Sequence, residues 1–443
     1  MKNSKNIIVL FASNLILIFM LLVILFQIFP ENSNYYLCNN FVYIEIFSFE
    51  FSFPNSCDSE IYLIGVDNFS SISTFDYNYQ TRPVYILSIK FIKYFLGFFL
   101  NDIFLLNFFS FTIFHYLILN FSIMIIFNIL NIQKKLYLIL SVSILVLLNP
   151  ILKWGIFDAA HQTLTLPAFS LSMYFLTKEI DEQRRYYYSF FLGIMILTNM
   201  TFGLTFMFML FGYFKSSKNI KITMKKNILS IMYFLLPYLS WNFYITFLGY
   251  KPYNAAINYW YQFKWIPAYF VNGYENINFS INLEDYDKSE FYCMSLPENF
   301  VCYFKDFANT IEYLLLPTLL ILFVIAFKKN FINSLTTLNY FYPLLIVFCT
   351  NFLFWSLIGW YPPLRMNLYS YGYLITFLLI IIYLKLGKFE KFIYMFVNIL
   401  YLVSLNHWNN PNVVSKNLGI LVSYIIFFLF LMYSFNQLKI KRF

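Results

Sequence analysis

A few residues in this chain are of types and spacings that could do chemistry. Asp58 and Glu60 stand two apart in Cys57-Asp58-Ser59-Glu60-Ile61-Tyr62, and a carboxylate held beside a hydroxyl can take its proton. Two acids in a polar stretch are equally ordinary solvated charges, so the pair needs a context. Arg365 closes Gly359-Trp360-Tyr361-Pro362-Pro363-Leu364-Arg365, and a guanidinium forks naturally onto phosphate oxygens. At the mouth of an apolar segment an arginine also simply extends its stem to water. Lys153, Asp158 and His161 share another short polar turn, from which His161 is a substrate-binding candidate set against a plain loop histidine. Tyr259, Trp260, Tyr261, Trp265 and Tyr269 offer faces that stack on sugars, or an interfacial aromatic belt, the more usual use of such rings. The sequence contains no G-x-x-x-x-G-K-[ST] phosphate loop and no H-E-x-x-H zinc pair. A G-x-S-x-G nucleophile elbow is missing too.

The elements that must position these residues are membrane helices. Of 443 residues, 60% are apolar and 12% charged, and the mean hydropathy is +0.64. Soluble domains carry about a quarter charged residues. A water-soluble core cannot absorb so much apolar surface, whereas runs of about 20 apolar residues each cross a bilayer. The net charge of +9 is dispersed over short loops, so it reads as a topology signal and not as a nucleic-acid footprint.

Basic residues set the orientation. Lys2 and Lys5 hold the N-terminus in the cytoplasm, and a first span runs over 7–29. A polar segment follows from Pro30 to Pro83. The stretch 84–100 is interrupted by Lys90 and Lys93. Laid on the outer surface as an amphipathic helix, it leaves Lys134, Lys135 and the basic cluster at 215–226 inside. Spans are then expected at 103–130, 136–152, 162–177, 188–200, 201–214, 227–248, 312–327, 334–357, 367–386, 391–405 and 418–437. The fold class is therefore an all-α polytopic bundle of about twelve spans, with Lys439, Lys441 and Arg442 inside. Asp102 is placed to cap the second span. His115 falls within it, packing or bonding to a neighbour.

Two long polar segments face outward, 30–83 and 249–311, and functional loops are the usual reason for such length. Cys38 and Cys57 share the first, Cys293 and Cys302 the second, and Cys349 falls inside a span. Local pairs on an oxidising side suggest the disulfides Cys38–Cys57 and Cys293–Cys302, with free thiols as the alternative. The chain divides into a module over 1–248 with its first outer loop at 30–102, a second outer loop at 249–311, and C-terminal membrane helices over 312–443.

Asp58 and Tyr62, followed by Arg82-Pro83-Val84-Tyr85 at the head of a helix ending near Gly97, resemble the GT-C glycosyltransferases. These membrane enzymes, among them lipid A aminoarabinose transferases and protein mannosyltransferase relatives, move a sugar from a polyprenyl-phosphate carrier to an acceptor outside the cytoplasm. Glu60 stands one place later than the family's usual Glu. Ile196-Leu197-Thr198-Asn199-Met200-Thr201 resembles the family's turn between two short half-spans, with Asn199 where a Lys commonly stands. Arg365, with Tyr369 and Tyr371, resembles its late Arg-Tyr element. The resemblance covers the first half of the chain by motif and the rest by architecture.

The resemblance implies a transferase with Asp58 as general base and Glu60 orienting the acceptor, assisting Asp58 or ligating a divalent ion. No cofactor is otherwise required. Tyr62, Arg82, Tyr85 and Arg365 are implied substrate-binding residues, since the leaving phosphate needs cations or hydrogen-bond donors. The implied partners are a polyprenyl-phosphate-linked sugar, a glycan, lipid or protein acceptor, and membrane lipid, but no nucleic acid. The expected location is a bacterial inner membrane, with the site facing the periplasm. Two other readings stay open: an O-antigen polymerase or ligase, and a transporter or lipid-linked glycan flippase. The second of these needs ionisable groups facing a pathway between spans.

Overall fold

The computed structural model describes residues 37–46, 49–56, 59–74, 78–130, 161–178, 181–216, 220–252, 340–357, 363–385, 391–392 and 394–396. The expected spans at 7–29, 136–152, 312–327, 391–405 and 418–437 lie wholly or mostly outside the described residues. So do Cys57, Asp58, Cys293, Cys302 and the aromatic cluster at 259–269.

Within the polar segment 30–83, a β-hairpin precedes the helices. Strands β1 (Leu37–Ile46) and β2 (Phe49–Ser56) pair antiparallel, with Val42 opposite Phe53 and Ile44 opposite Phe51. Apolar residues alternate along Phe49-Glu50-Phe51-Ser52-Phe53, the period-2 pattern of a strand. The register sets Leu37 against Ser56. These residues are the chain neighbours of Cys38 and of Cys57.

Helix α1 (Ser59–Asp67) leads through 3-10 turns at Phe69–Thr74 and Asn78–Thr81 into α2 (Pro83–Leu96). Proline at the first helical position has no N–H to leave unsatisfied and a φ already suited to the helix, so Arg82-Pro83 starts α2 cleanly. The long helix α3 (Ile103–Leu130) contains no charged residue, proline or glycine. Asp102 caps it, accepting from the Leu105 N–H at 3.1 Å, which is the role expected of this residue. Its buried polar side chains turn back on their own helix: the Ser122 hydroxyl donates to the Ile118 carbonyl at 2.9 Å, and the Asn120 amide to Tyr116 at 3.1 Å. Such i−4 bonds let an apolar helix carry hydroxyls and amides without water.

Helix α4 (Thr165–Thr177), entered by a 3-10 turn at His161–Leu164, is buried along most of its length. It packs on α3, α6 (Thr201–Ser216), α8 (Phe341–Leu357) and α9 (Pro363–Lys385), and so forms the centre of the described bundle. The hydroxyl of Thr205 on α6 donates to the Ala168 carbonyl at 3.0 Å, tying two buried helices through a backbone oxygen. Four residues, 197–200, separate helix α5 (Arg185–Ile196) from α6. Asn199 fills that turn, its side-chain oxygen accepting from the Thr201 N–H at 2.9 Å and hydroxyl at 2.8 Å. The residue standing where the resembled family has a lysine thus works here as a helix cap.

Helix α7 (Ile220–Phe247) is the second long helix. It presses on α5 at Gly193, where an added Cβ would lie 2.2 Å from the Phe234 carbonyl oxygen. At the other end of this contact Arg185, 1% exposed, donates through Nε to the Ser230 hydroxyl at 2.9 Å and lies over the Tyr213 ring at 4.3 Å. Among the described residues two helices are long and apolar enough to cross a membrane, over Leu105–Leu130 and Lys221–Phe247. Helix α7 takes in most of the expected span 227–248 and begins earlier, at Ile220, while the stretch expected at 162–177 is the 3-10 turn and the 13 residues of α4.

Candidate functional site

The two sequence motifs of the first outer segment meet in space. Tyr62 on α1 is fully buried, and its hydroxyl accepts a hydrogen bond from Nη1 of Arg82, twenty residues on. The Tyr62 ring stands edge-on to Tyr85 at 5.0 Å and 78°. Tyr85, also fully buried, sits one turn into α2 and reaches α3, its hydroxyl 3.0 Å from Nε2 of His115. Phe111 and Phe114 close around the Tyr85 ring at 6.4 and 5.4 Å. Edge-to-face rings at these separations add attraction beyond the apolar area they bury. Arg82, Tyr62, Tyr85 and His115 therefore form one continuous polar and aromatic chain from the loop to α3.

Local sequence explains the closeness. Gly65 brings α1 against α2, since a Cβ there would lie 3.1 Å from Ile86 Cδ1. Val66, Ile72, Ile86 and Ile89 fill the gap behind the tyrosines. At the far end of α1, Asp67 forms an ion pair with Lys93 of α2. That pair accounts for one of the two lysines that interrupt the apolar stretch.

A second set of bonds pins the segment from the other side. The Trp241 indole N–H on α7 donates to the Gln80 carbonyl at 2.8 Å, and its ring packs on Phe69 at 6.0 Å. The buried Gln80 amide donates to the Ser73 carbonyl at 3.0 Å and to that of Lys251 at 3.4 Å. The polar segment 30–83 is thereby attached, two residues before Arg82, to the end of α7 and to Lys251 just after it.

The geometry brings together Tyr62, Arg82 and Tyr85. Asp58 lies outside the described residues, immediately before α1, four positions ahead of Tyr62 in sequence. The side chains of Glu60, His161 and Arg365 are likewise outside them. Their backbone places Glu60 in the first turn of α1, His161 in the 3-10 turn before α4, and Arg365 in the first turn of α9. Among the described residues no three His, Cys, Asp or Glu side chains come together in a cluster. Cys349 is a free thiol on the exposed side of α8.

His115, Gln80 and Trp241 complete the constellation outside the sequence motifs. An ionisable residue inside an apolar helix is a signal in itself, and His115 carries it. Gln80 and Trp241 carry none, because 161 residues separate them in the chain. No protein-family model, curated protein or solved structure matches the chain.

Proposed function

We propose that the chain is a multi-pass membrane glycosyltransferase that moves a sugar from a polyprenyl-phosphate donor to a glycan, lipid or protein acceptor. Its site faces the extracytoplasmic side of a bacterial inner membrane, within a bundle of about twelve spans. The observation that carries this is the contact of Tyr62 with Arg82 and Tyr85, which joins the two separate motifs of the resembled family in one buried cluster.

The roles follow from what transfer requires. The acceptor oxygen attacks the anomeric carbon, the carbon–oxygen bond to the donor phosphate breaks, and the phosphate leaves with the electron pair. Asp58 takes the acceptor proton as general base, and Glu60 orients the acceptor or supports Asp58, with a divalent ion as its other use. Arg82 and Arg365 offer guanidinium groups to the leaving phosphate, where fixed cations stabilise developing charge. A guanidinium carries five N–H donors in a planar fork, so an arginine seated on Tyr62 can also address an anion. Tyr85 sets the start of α2 on which Arg82 stands, and His161 is a further contact for substrate.

Binding of undecaprenyl phosphate to the purified chain in nanodiscs tests the assignment. A hydrogen bond to a charged group contributes about 1.5–3 kcal/mol, so Arg82→Ala should weaken binding about tenfold or more. Arg82→Lys should not restore it, since a point charge does not replace a fork. Unchanged affinity in both Arg82→Ala and Arg365→Ala would remove the phosphate assignment.

A further inference from the structure

Arg82 stands on a stretch of backbone that its own helix does not fix. It precedes α2 with φ −121° and ψ 42°, neither helical nor extended, and its side chain makes no capping bond to that helix. The guanidinium is held at the Tyr62 hydroxyl. The main chain takes its direction from the residues just before, the 3-10 turn Asn78–Thr81. Gln80 and Thr81 in that turn are 3% and 5% exposed, so their peptide groups need partners within the protein. For the Gln80 carbonyl that partner is the Trp241 indole N–H, at 2.8 Å.

Trp241 comes from a helix that is itself firmly placed. Helix α5 runs beside α7 in the same direction, with Arg185 against Ser230 and Gly193 against Phe234 and Pro237. Phe234 also stacks on Phe206 of α6, the rings 4.0 Å apart and 6° from parallel. Trp241 stands one turn beyond Pro237, just past the level at which α5 ends. Its ring lies between neighbours that keep the N–H aimed, Phe69 at 6.0 Å and Tyr244 at 5.5 Å. The Gln80 amide holds the same residue from the other side, through the Ser73 and Lys251 carbonyls. The peptide ahead of Arg82 is thus fixed to the helix bundle through α7. A guanidinium binds as a planar fork, so a rotation of that peptide would turn the fork away from its ligand.

We infer that Trp241 is a positioning residue for Arg82. Through the Gln80 peptide its N–H sets the direction from which the guanidinium meets a phosphate, and Trp241 itself touches no substrate. The inference rests on the phosphate role proposed for Arg82. Binding of undecaprenyl phosphate to the full chain in nanodiscs tests it, with Trp241→Phe, Arg82→Ala and the double variant beside the wild type. Trp241→Phe keeps an aromatic ring against Phe69 and removes the donor.

Trp241→Phe should weaken binding about three- to tenfold, the scale of one hydrogen bond, and by no more than Arg82→Ala does. In the Arg82→Ala background the same substitution should change affinity by less than about twofold, because no guanidinium is left to aim; such non-additivity marks two residues acting through one contact. Full affinity in Trp241→Phe overturns the inference. So does a comparable loss in both backgrounds, which is what a merely structural role of the indole produces. Both of these results leave the phosphate role of Arg82 standing. Unchanged affinity in Arg82→Ala is distinct from them, and removes that role together with the inference. Monodisperse elution of each variant is checked first. Should Trp241→Phe not elute so, benzothienylalanine incorporated at position 241 takes its place, since it keeps the bicyclic ring and exchanges only the N–H for sulfur.

Discussion

The hydroxyl of Tyr85 lies 3.0 Å from Nε2 of His115, and both residues are fully buried. This contact joins the helix that follows the first outer loop to the first long apolar helix. A buried polar pair is costly to break from one side, because the group left behind has lost its water as well as its partner. Tyr85→Phe removes only the oxygen and should lower stability by about 1–3 kcal/mol, read from thermal unfolding of the detergent-solubilised protein. Tyr94→Phe makes the same chemical change at a residue 72% exposed and should stay within about 0.5 kcal/mol. Equal effects at the two sites would show that the Tyr85–His115 bond contributes nothing.

Two glycines should respond in opposite directions to the same substitution. At Gly193 a Cβ would lie 2.2 Å from the Phe234 carbonyl oxygen and 3.1 Å from Pro237. Backbone cannot swing aside as a flexible side chain can, so Gly193→Ala should force α5 from α7 and cost about 1–3 kcal/mol. Gly97 has an ordinary helical φ of −62°, and its Cβ would meet nothing nearer than 3.4 Å. Gly97→Ala should be neutral or stabilise by up to about 1 kcal/mol through the lost freedom of the unfolded chain. Tolerance of Gly193→Ala would mean that α5 and α7 do not approach this closely.

The orientation is tested by reporter fusions. On the proposed topology, with 84–100 on the outer surface, fusions after Asn131 and after Lys226 should both score cytoplasmic. At the same end of the bundle Lys226 pairs with Glu182 at 2.5 Å, so residues 182 and 226 must lie on one side of any membrane. An outside score at Asn131 would mean that 84–100 does cross, and would shift every later loop.

Much of this fold is legible in the sequence, and the exceptions have physical causes. Helix α3 is plain because an uninterrupted apolar run follows a capping aspartate. The turn between α5 and α6 falls in the Ile196–Thr201 motif that resembles the family's turn, and Asn199 supplies its cap. Helix α7 extends ahead of its apolar run through Lys221, Lys225 and Lys226, which break the hydropathy pattern although lysine is a good helix former. The β-hairpin is hard to read because its alternation is short and lies in a segment dominated by polar residues. In the site, Tyr62, Arg82 and Tyr85 could be singled out from motif spacing. That they touch, and that His115 completes the chain, depends on α2 folding back along α3. The hold of Trp241 on Gln80 is a long-range contact, which no local pattern encodes.

The proposed sugar transfer depends on Asp58 as the base. Asp58→Asn keeps the shape of the side chain and removes its basicity, and a positioned general base contributes about 10²–10⁴-fold in rate. The measurement is complementation of the surface-glycan phenotype of a strain lacking this gene, at matched membrane levels of wild-type and variant protein. Asp58→Asn should fail to complement while eluting as the wild type does and still binding undecaprenyl phosphate, as a base role requires. Full complementation by Asp58→Asn would contradict it.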